Sequence, residues 1–244
     1  LIQNIKDDLS LVDIKFDKYT FESKILNRNL IGDLFKILED KNLIYEGVLP
    51  KPKSDELSDW EPRKQLLFKS SSLLDNNDRA FKKSDGNWTY FANDAAYHYD
   101  KYLRKFDKII NIWGADHIGY IPRMKSIILA ICNDDHYLEV ITCQIVRLLK
   151  DGKILKMSKR EGNFITLKEV YEAVGKDALR YYMISTRSET SMDFNMDKVI
   201  EKNKDNPVFY CQYAYARATS VINKAKEINP KLLDRKYNKS EIIN

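Results

Sequence analysis

The sequence predicts an α/β fold, and three observations carry that expectation. A short apolar run, KIINIWG, reads as a strand ending at Gly114. It is followed at once by YIPRMKSIILAIC, a helical pattern in which Pro122 fits only the first turn. A second extended run, YLEVITCQIVRLLK, comes next, rich in β-branched residues. Strand, helix and strand in succession mark a layer of parallel strands, where ligands gather at the carboxyl ends. Gly114, Asp116 and His117 are expected at such an end.

The remaining elements follow from periodicity and punctuation. IQNIKDDLSLV has helical spacing, FDKYTFE reads as a strand, LIGDLFKILEDKNL as an amphipathic helix and IYEGVL as a strand. PKPKSDELSDWEPRK combines three prolines with dense charge and reads as a linker. KQLLFKS resumes a strand, and RAFKKSDGNWTYF reads as a hairpin turning at Asp85-Gly86. Helical spacing is expected from Ala92 to about Lys105. Thr166 and Glu169 form a capping box for TLKEVYEAV, which Gly175 ends. KDALRYYMIST gives a further helix, and Asn206-Pro207 opens a long one.

The 244 residues, 43% of them apolar, suffice for one large or two modest domains with a buried core. No stretch reaches the roughly 20 apolar residues of a membrane-spanning helix, so no membrane partner is expected. A formal charge of +5 permits an anionic partner without requiring one, because both signs are spread along the chain. Cys132, Cys143 and Cys211 show no CxxC spacing and sit in largely apolar runs; buried free thiols and a cytoplasmic location are expected. The three histidines are too scattered to suggest a metal site.

The most cationic loop is KILKMSKREGNFIT, residues 153 to 166. Lys156 and Lys159 can bring two ammonium groups to one triphosphate, and Ser158 with the backbone near Gly162 can add hydrogen bonds. Such cations count most while charge builds on the phosphates as pyrophosphate departs. A solvated basic loop that binds nothing has the same composition.

Word order separates the two. KMSKR resembles the KMSKS signature of class I aminoacyl-tRNA synthetases, and KMSKREGNFITL resembles the arginyl branch. WTYFANDAAYHYDK (88–101), GADHIGYIPRMK (114–125) and DNPVFYCQYAYAR (205–217) agree with that branch in order, as do LIYEGVLPKP and DALRYYMISTR. HIGY at 117–120 mimics the HIGH signature of the class but lies in the second half of the nucleotide-binding fold, and no other stretch matches HIGH. The resemblance implies the C-terminal half of a Rossmann-like class I catalytic domain followed by the start of an all-helical anticodon-binding domain. Residues 1–136 would be the second catalytic half with its inserted hairpin, 137–190 the KMSK-loop and stem-contact region, and 191–244 the start of the helical domain. A piece of a longer, monomeric enzyme is expected, inactive alone.

The resemblance also implies roles. Arginine presents a planar fork of donors that a carboxylate meets with two parallel bonds. Asp94 is the candidate, four residues after Tyr90 as in the arginine-specific pattern; as a helix opener, Asn93 or Asp94 would equally serve as an N-cap. Tyr90 would pack on the substrate, or be an ordinary half-buried strand tyrosine. His117 would contact both arginine and adenylate, or be structural. Gly114, Asp116, His117, Lys156, Met157, Ser158 and Lys159 would bind ATP, with Lys156 and Lys159 catalytic and Gly114 alternatively a turn. Magnesium would arrive with ATP as substrate, with no tightly bound cofactor. His98 and His136 receive no assigned role; His98, four residues beyond Asp94 on the same helix, would either orient it or simply occupy a surface helix position. Tyr210, Tyr213 and Arg217 are the candidates for tRNA contact, with core packing the competing reading for the tyrosines and the expected one for Phe209. The implied activity is ATP-dependent ligation of arginine to tRNA; a class I synthetase of other specificity and a non-catalytic tRNA-binding paralogue remain open.

Overall fold

The computed structural model describes residues 1–51, 61–155 and 164–230. In chain order the helices are α1 (Ile2–Leu11), α2 (Glu22–Asn27), α3 (Leu30–Asp40), α4 (Tyr90–Leu103), α5 (Ile121–Cys132), α6 (Leu167–Val174), α7 (Lys176–Ser185) and α8 (Pro207–Ile228). The strands are β1 (Ile44–Gly47), β2 (Gln65–Phe68), β3 (Arg79–Lys82), β4 (Ile109–Gly114), β5 (Leu138–Cys143), β6 (Val146–Lys150), β7 (Lys153–Ile154) and β8 (Met192–Asn195). No helix among the described residues is long and apolar enough to cross a membrane.

The chain divides into two compact units. One holds Phe16–Ile145 with Ser188–Thr190; the other holds Leu1–Lys15, Val146–Arg187 and the chain from Ser191. These limits differ from the boundaries expected at 136 and 190. Strand β5 stays with the first unit because it pairs in parallel with β4, Ile109 opposite Leu138 through Gly114 opposite Cys143. Strand β8 joins the second unit by pairing in parallel with β6. The first 15 residues belong there too, since Lys176 bonds Asp13 and Arg180 donates to the Val12 carbonyl.

In the first unit β1, β2 and β3 form an antiparallel sheet. Apolar residues of α3 at helical spacing, Leu30, Leu34 and Leu38, are buried, as are Phe68, Phe81, Met124 and Ile127. Ala92, Ala95 and Ala96 are fully buried on α4, and their small size lets that helix pack against α3 and α5. Helix α5 crosses from β4 to β5, the connection that parallel strands require. The second unit buries Leu148, Val170, Leu179 and Phe194 around the β7-β6-β8 sheet.

Three local expectations are corrected. FDKYTFE is not a strand: Phe16 to Phe21 lacks regular structure and α2 begins at Glu22. The hairpin after β3 has only one strand-forming arm, its return reduced to a bridge from Lys82 to Trp88 across Gly86 at φ 85°. The reason is that the Thr89 hydroxyl accepts from the Ala92 amide and starts α4 at Tyr90, ending the extended arm early. The cysteines are free but not all buried: Cys132 and Cys143 are half-buried and Cys211 is exposed, because little of α8 is covered.

Candidate functional site

Helix α4 presents two faces of opposite character. One buries Phe91, Ala92, Ala95 and Ala96. Along the other, Asp94 follows Tyr90 by four, Tyr97 and His98 follow Asp94 by three and four, and Lys101 follows them by four and three, which places the five on one side. Thr89 is the cap, so Asp94 sits in the second turn and the capping reading of Asn93 or Asp94 falls away.

Those five side chains line a cavity of about 360 Å³, closed on its other side by Trp113 of β4 and by His117 and Tyr120 of the 3-10 turn that leads into α5. Tyr90, Asp94 and His117, singled out from the sequence for arginine, thus come together. Tyr90 is not a half-buried strand residue; it opens a helix and is 85% exposed. A second cavity, about 340 Å³, shares Tyr90, Asp94 and Tyr97 and adds Thr20, Glu22, Ile25, Leu26 and Asn93. Glu22 went unnoticed in the sequence because its stretch was read as a strand. Its Oε1 accepts from Asn93 Nδ2 at 2.9 Å, which brings a second carboxylate to the ridge that carries Asp94.

The Tyr120 hydroxyl donates to Asp94 Oδ2 at 2.9 Å. Burial first, and then the Asp94 carboxylate, push the phenol well above its ordinary range, so it remains a donor. Among the described residues no other bond to this carboxylate is found, so Oδ1 and the second lone pair of Oδ2 are open to a ligand. Tyr120 ring edges meet Phe91 and Trp113, which fixes the ring.

His98 is not a surface residue but 4% exposed, two turns into α4. Its Nδ1 donates to the Asp94 carbonyl at 2.8 Å, and Nε2 accepts from Asn111 Nδ2 at 2.7 Å, which assigns one neutral tautomer. Asn111 Oδ1 in turn accepts from Lys101 Nζ at 2.8 Å. Burial, helped by the Lys101 charge, pushes His98 down to about 4. Lys101 is itself pushed down to about 8 by burial and by Arg104, against the pull of Asp94. This chain of bonds ties the Asp94 turn of α4 to the middle of β4.

At the carboxyl end of β4, Gly114 has ordinary extended angles, φ −65° and ψ 151°, so no turn demands glycine there. A Cβ would instead collide with the Asp116 carboxylate, which folds back over it. Asp116 and His117 are both exposed and face one another at 3.5 Å. Only His117 of these three lines the cavity. Lys156, Met157, Ser158 and Lys159 lie outside the described residues. Among those described, no group of three or more His, Cys, Asp or Glu side chains could hold a metal.

The residues considered for RNA lie in the other unit. Tyr210, Tyr213 and Tyr215 of α8 are 61%, 52% and 74% exposed, against the core packing weighed for them. Phe209, expected in the core, is half-buried; its ring stacks on Tyr213, and the Arg217 guanidinium lies 6.0 Å from the Tyr213 ring centre. Tyr213 and Arg217 therefore form one cationic aromatic face.

Parallel strands, a cavity at their carboxyl end and a carboxylate on the flanking helix define a ligand-binding α/β layer. Residues 75–197 match the family of class I tRNA synthetases (I, L, M and V), and the chain belongs to that family. It is 46% identical over 93% of its length to the arginine–tRNA ligase of Orientia tsutsugamushi strain Ikeda, and 48% identical over 91% to that of a Ruegeria species. It spans 39% and 38% of those two proteins, about two fifths of the relatives it matches. A solved structure assigned to an arginyl-tRNA synthetase of Campylobacter jejuni shares 36% identity at a TM-score of 0.77, covering 92% of this chain and 45% of that one. Thermus thermophilus arginyl-tRNA synthetase, at 16% identity and a TM-score of 0.67 over 90% of this chain and 44% of its own, shares the fold.

Proposed function

We propose that this chain is part of an arginine–tRNA ligase, which activates arginine with ATP and transfers it to tRNA. One observation carries the reading: Asp94 stands with Tyr90 and His117 on a single cavity, in a chain 46% identical to an arginine–tRNA ligase. Asp94 accepts two parallel N–H bonds from the guanidinium, a match that lysine's compact ammonium does not make. Glu22, on the adjoining cavity, adds a second acceptor for the same cation. Aromatic walls from Tyr90 and Tyr97 suit both the aliphatic stem and the planar head.

In the reaction, a substrate carboxylate oxygen attacks the α-phosphorus of ATP and pyrophosphate leaves, giving arginyl-adenylate. A terminal hydroxyl of tRNA then takes the arginyl group and AMP departs. Magnesium enters with ATP as substrate. Lys156 and Lys159, with Ser158 and Met157 between them, hold the phosphates, and Gly114, Asp116 and His117 lie on the nucleotide side at the end of β4. Tyr210, Tyr213 and Arg217 contact tRNA through stacking and phosphate pairing. The 244 residues by themselves do not catalyse adenylate formation, since the imidazoles of a HIGH motif are not among them; adenylate made by this chain alone would overturn that.

The test is Asp94→Asn in the full-length ligase. Removing the charge while keeping the shape raises the KM for arginine by about 100-fold, with the KM for ATP within about threefold of the parent. An unchanged arginine KM removes Asp94 from the pocket.

A further inference from the structure

Behind the Asp94 carboxylate lies a cation that the proposed reaction does not use. Arg123 falls three residues after Tyr120, one turn into α5, so the two side chains share a face. Its guanidinium sits 4.7 Å from the centre of the Tyr120 ring. The side chain is half-buried, and among the described residues its buried Nε meets no hydrogen-bond acceptor. Among the described residues, no close ion pair explains the placement either. The acid whose charge acts on it, Asp75, is already engaged in two bonds from Arg79, Nε to Oδ2 at 2.6 Å and Nη2 to Oδ1 at 2.8 Å. Arg79 therefore opposes Arg123 by charge, and Asp75 offsets part of that repulsion. Among the described residues, the contact recorded for the guanidinium is the ring of Tyr120.

We infer that Arg123 is a positioning residue for arginine recognition, clamping the Tyr120 ring so that its hydroxyl orients the Asp94 carboxylate toward the substrate guanidinium. The inference rests on the reading of Asp94 as the guanidinium acceptor. A cation on the ring face draws on the π-electrons and strengthens the hydroxyl as a donor. The 2.9 Å bond to Oδ2 then fixes the rotation of a carboxylate that is otherwise exposed and free to turn. Phe91 and Trp113 brace the ring edges, and Arg123 covers a face. The burial that pushes Tyr120 upward ensures that the hydroxyl proton stays in place at physiological pH. Geometry this tight matters because a misplaced acceptor loses one bond of a bidentate pair.

The experiment is steady-state aminoacylation by the full-length ligase, with arginine and ATP varied separately. Tyr120→Phe, which keeps ring and clamp, raises the arginine KM by about tenfold and leaves the ATP KM unchanged. Arg123→Gln raises the arginine KM by about three- to tenfold, and Arg123→Lys, which keeps a cation over the ring, stays within about twofold of the parent. Because the two act in series, the double variant Tyr120→Phe/Arg123→Gln is no worse than Tyr120→Phe alone. An unchanged arginine KM in folded Arg123→Gln, or additive effects in the double variant, overturns the clamp while Asp94→Asn still shows its loss. Should Arg123→Gln fail to fold, a flat arginine KM in Tyr120→Phe overturns it as well. If Asp94→Asn itself leaves the arginine KM unchanged, the underlying reading fails instead.

Discussion

Helix α4 carries four tyrosines in 14 residues and buries six side chains, among them His98 and Asp100; α8 carries three tyrosines in 22 residues and buries only Val208. The two share a vocabulary of aromatic and cationic residues. In α4 the polar groups are held from behind: His98 by Asn111, Asp94 by Tyr120, and Asp100 by Arg28 and Arg104. In α8 Phe209 stacks on Tyr213 and Arg217 lies near the Tyr213 ring, while Tyr210, Tyr213 and Tyr215 stay exposed. Preorganised groups suit recognition of a small rigid cation, whose bonds are lost by a misplacement of an ångström. Exposed rings at helical spacing suit a large polyanion with unstacked bases, which supplies its own order on binding.

The sharpest way to break this contrast is to remove a charge from the buried side of α4. Asp100 is 2% exposed, and the bonds from Arg104 and Arg28 outweigh burial to hold its carboxyl below the ordinary range. Asp100→Asn leaves two guanidinium groups facing a neutral amide and is expected to cost about 3 kcal/mol in urea unfolding. A loss below about 1 kcal/mol would mean that α4 is no more rigidly anchored than α8.

A smaller effect comes from His98. Its folded value, about 4, lies below the ordinary 6.5, so the unfolded chain binds the proton more tightly. The corresponding stability is fully present above pH 6.5 and is lost as pH falls through the window toward 4. About 2 kcal/mol should disappear by pH 4.5, and His98→Gln should flatten that part of the profile. Trp113, whose ring meets His98 edge-on at 6.4 Å, reports the unfolding of this unit by fluorescence. A variant with the parent's acid sensitivity would show that His98 is not the responsible group.

The smallest effect on folding belongs to α8. Tyr213→Ala should change stability by less than about 0.5 kcal/mol, because the ring is 52% exposed. In filter binding with tRNA, the partner proposed above, the same substitution should weaken affinity by about fivefold or more, the cost of one lost stacking platform. Unfolding of the unit in place of weakened binding would turn α8 from a contact surface into a core element.

Much of the architecture was legible from local chemistry. The capping box at Thr166 and Glu169 and the Asn206 cap stand where side-chain bonding to backbone places them, and Pro122 and Pro207 stand in first turns, where a missing N–H costs nothing. Parallel pairing of β4 with β5 followed from strand, helix and strand in sequence. Errors arose where a local signal met a stronger competitor. FDKYTFE has strand-like residues, yet Glu22 favours a helix N-terminus, where its carboxylate meets the dipole. The arm WTYF yields to the Thr89 cap. Asp94, Tyr90 and His117 were identified through motif resemblance, and they do share a cavity. Glu22, on the adjoining cavity, was missed because its stretch reads as a strand, and Tyr120, three residues after His117, because no local pattern shows that its hydroxyl reaches Asp94 on another helix.

The sequence by itself determined the order of helices and strands, their caps and stops, and the residue types available for guanidinium and phosphate, because these depend on neighbours within about one helical turn. Tertiary structure alone decided that His98 is buried and neutral, that Asp94 is oriented by Tyr120 and Tyr120 in turn covered by Arg123, and that α8 leaves its tyrosines in solvent. Burial and orientation depend on which surfaces meet across the fold, and the field at a titrating group sums over partners that only packing brings within reach.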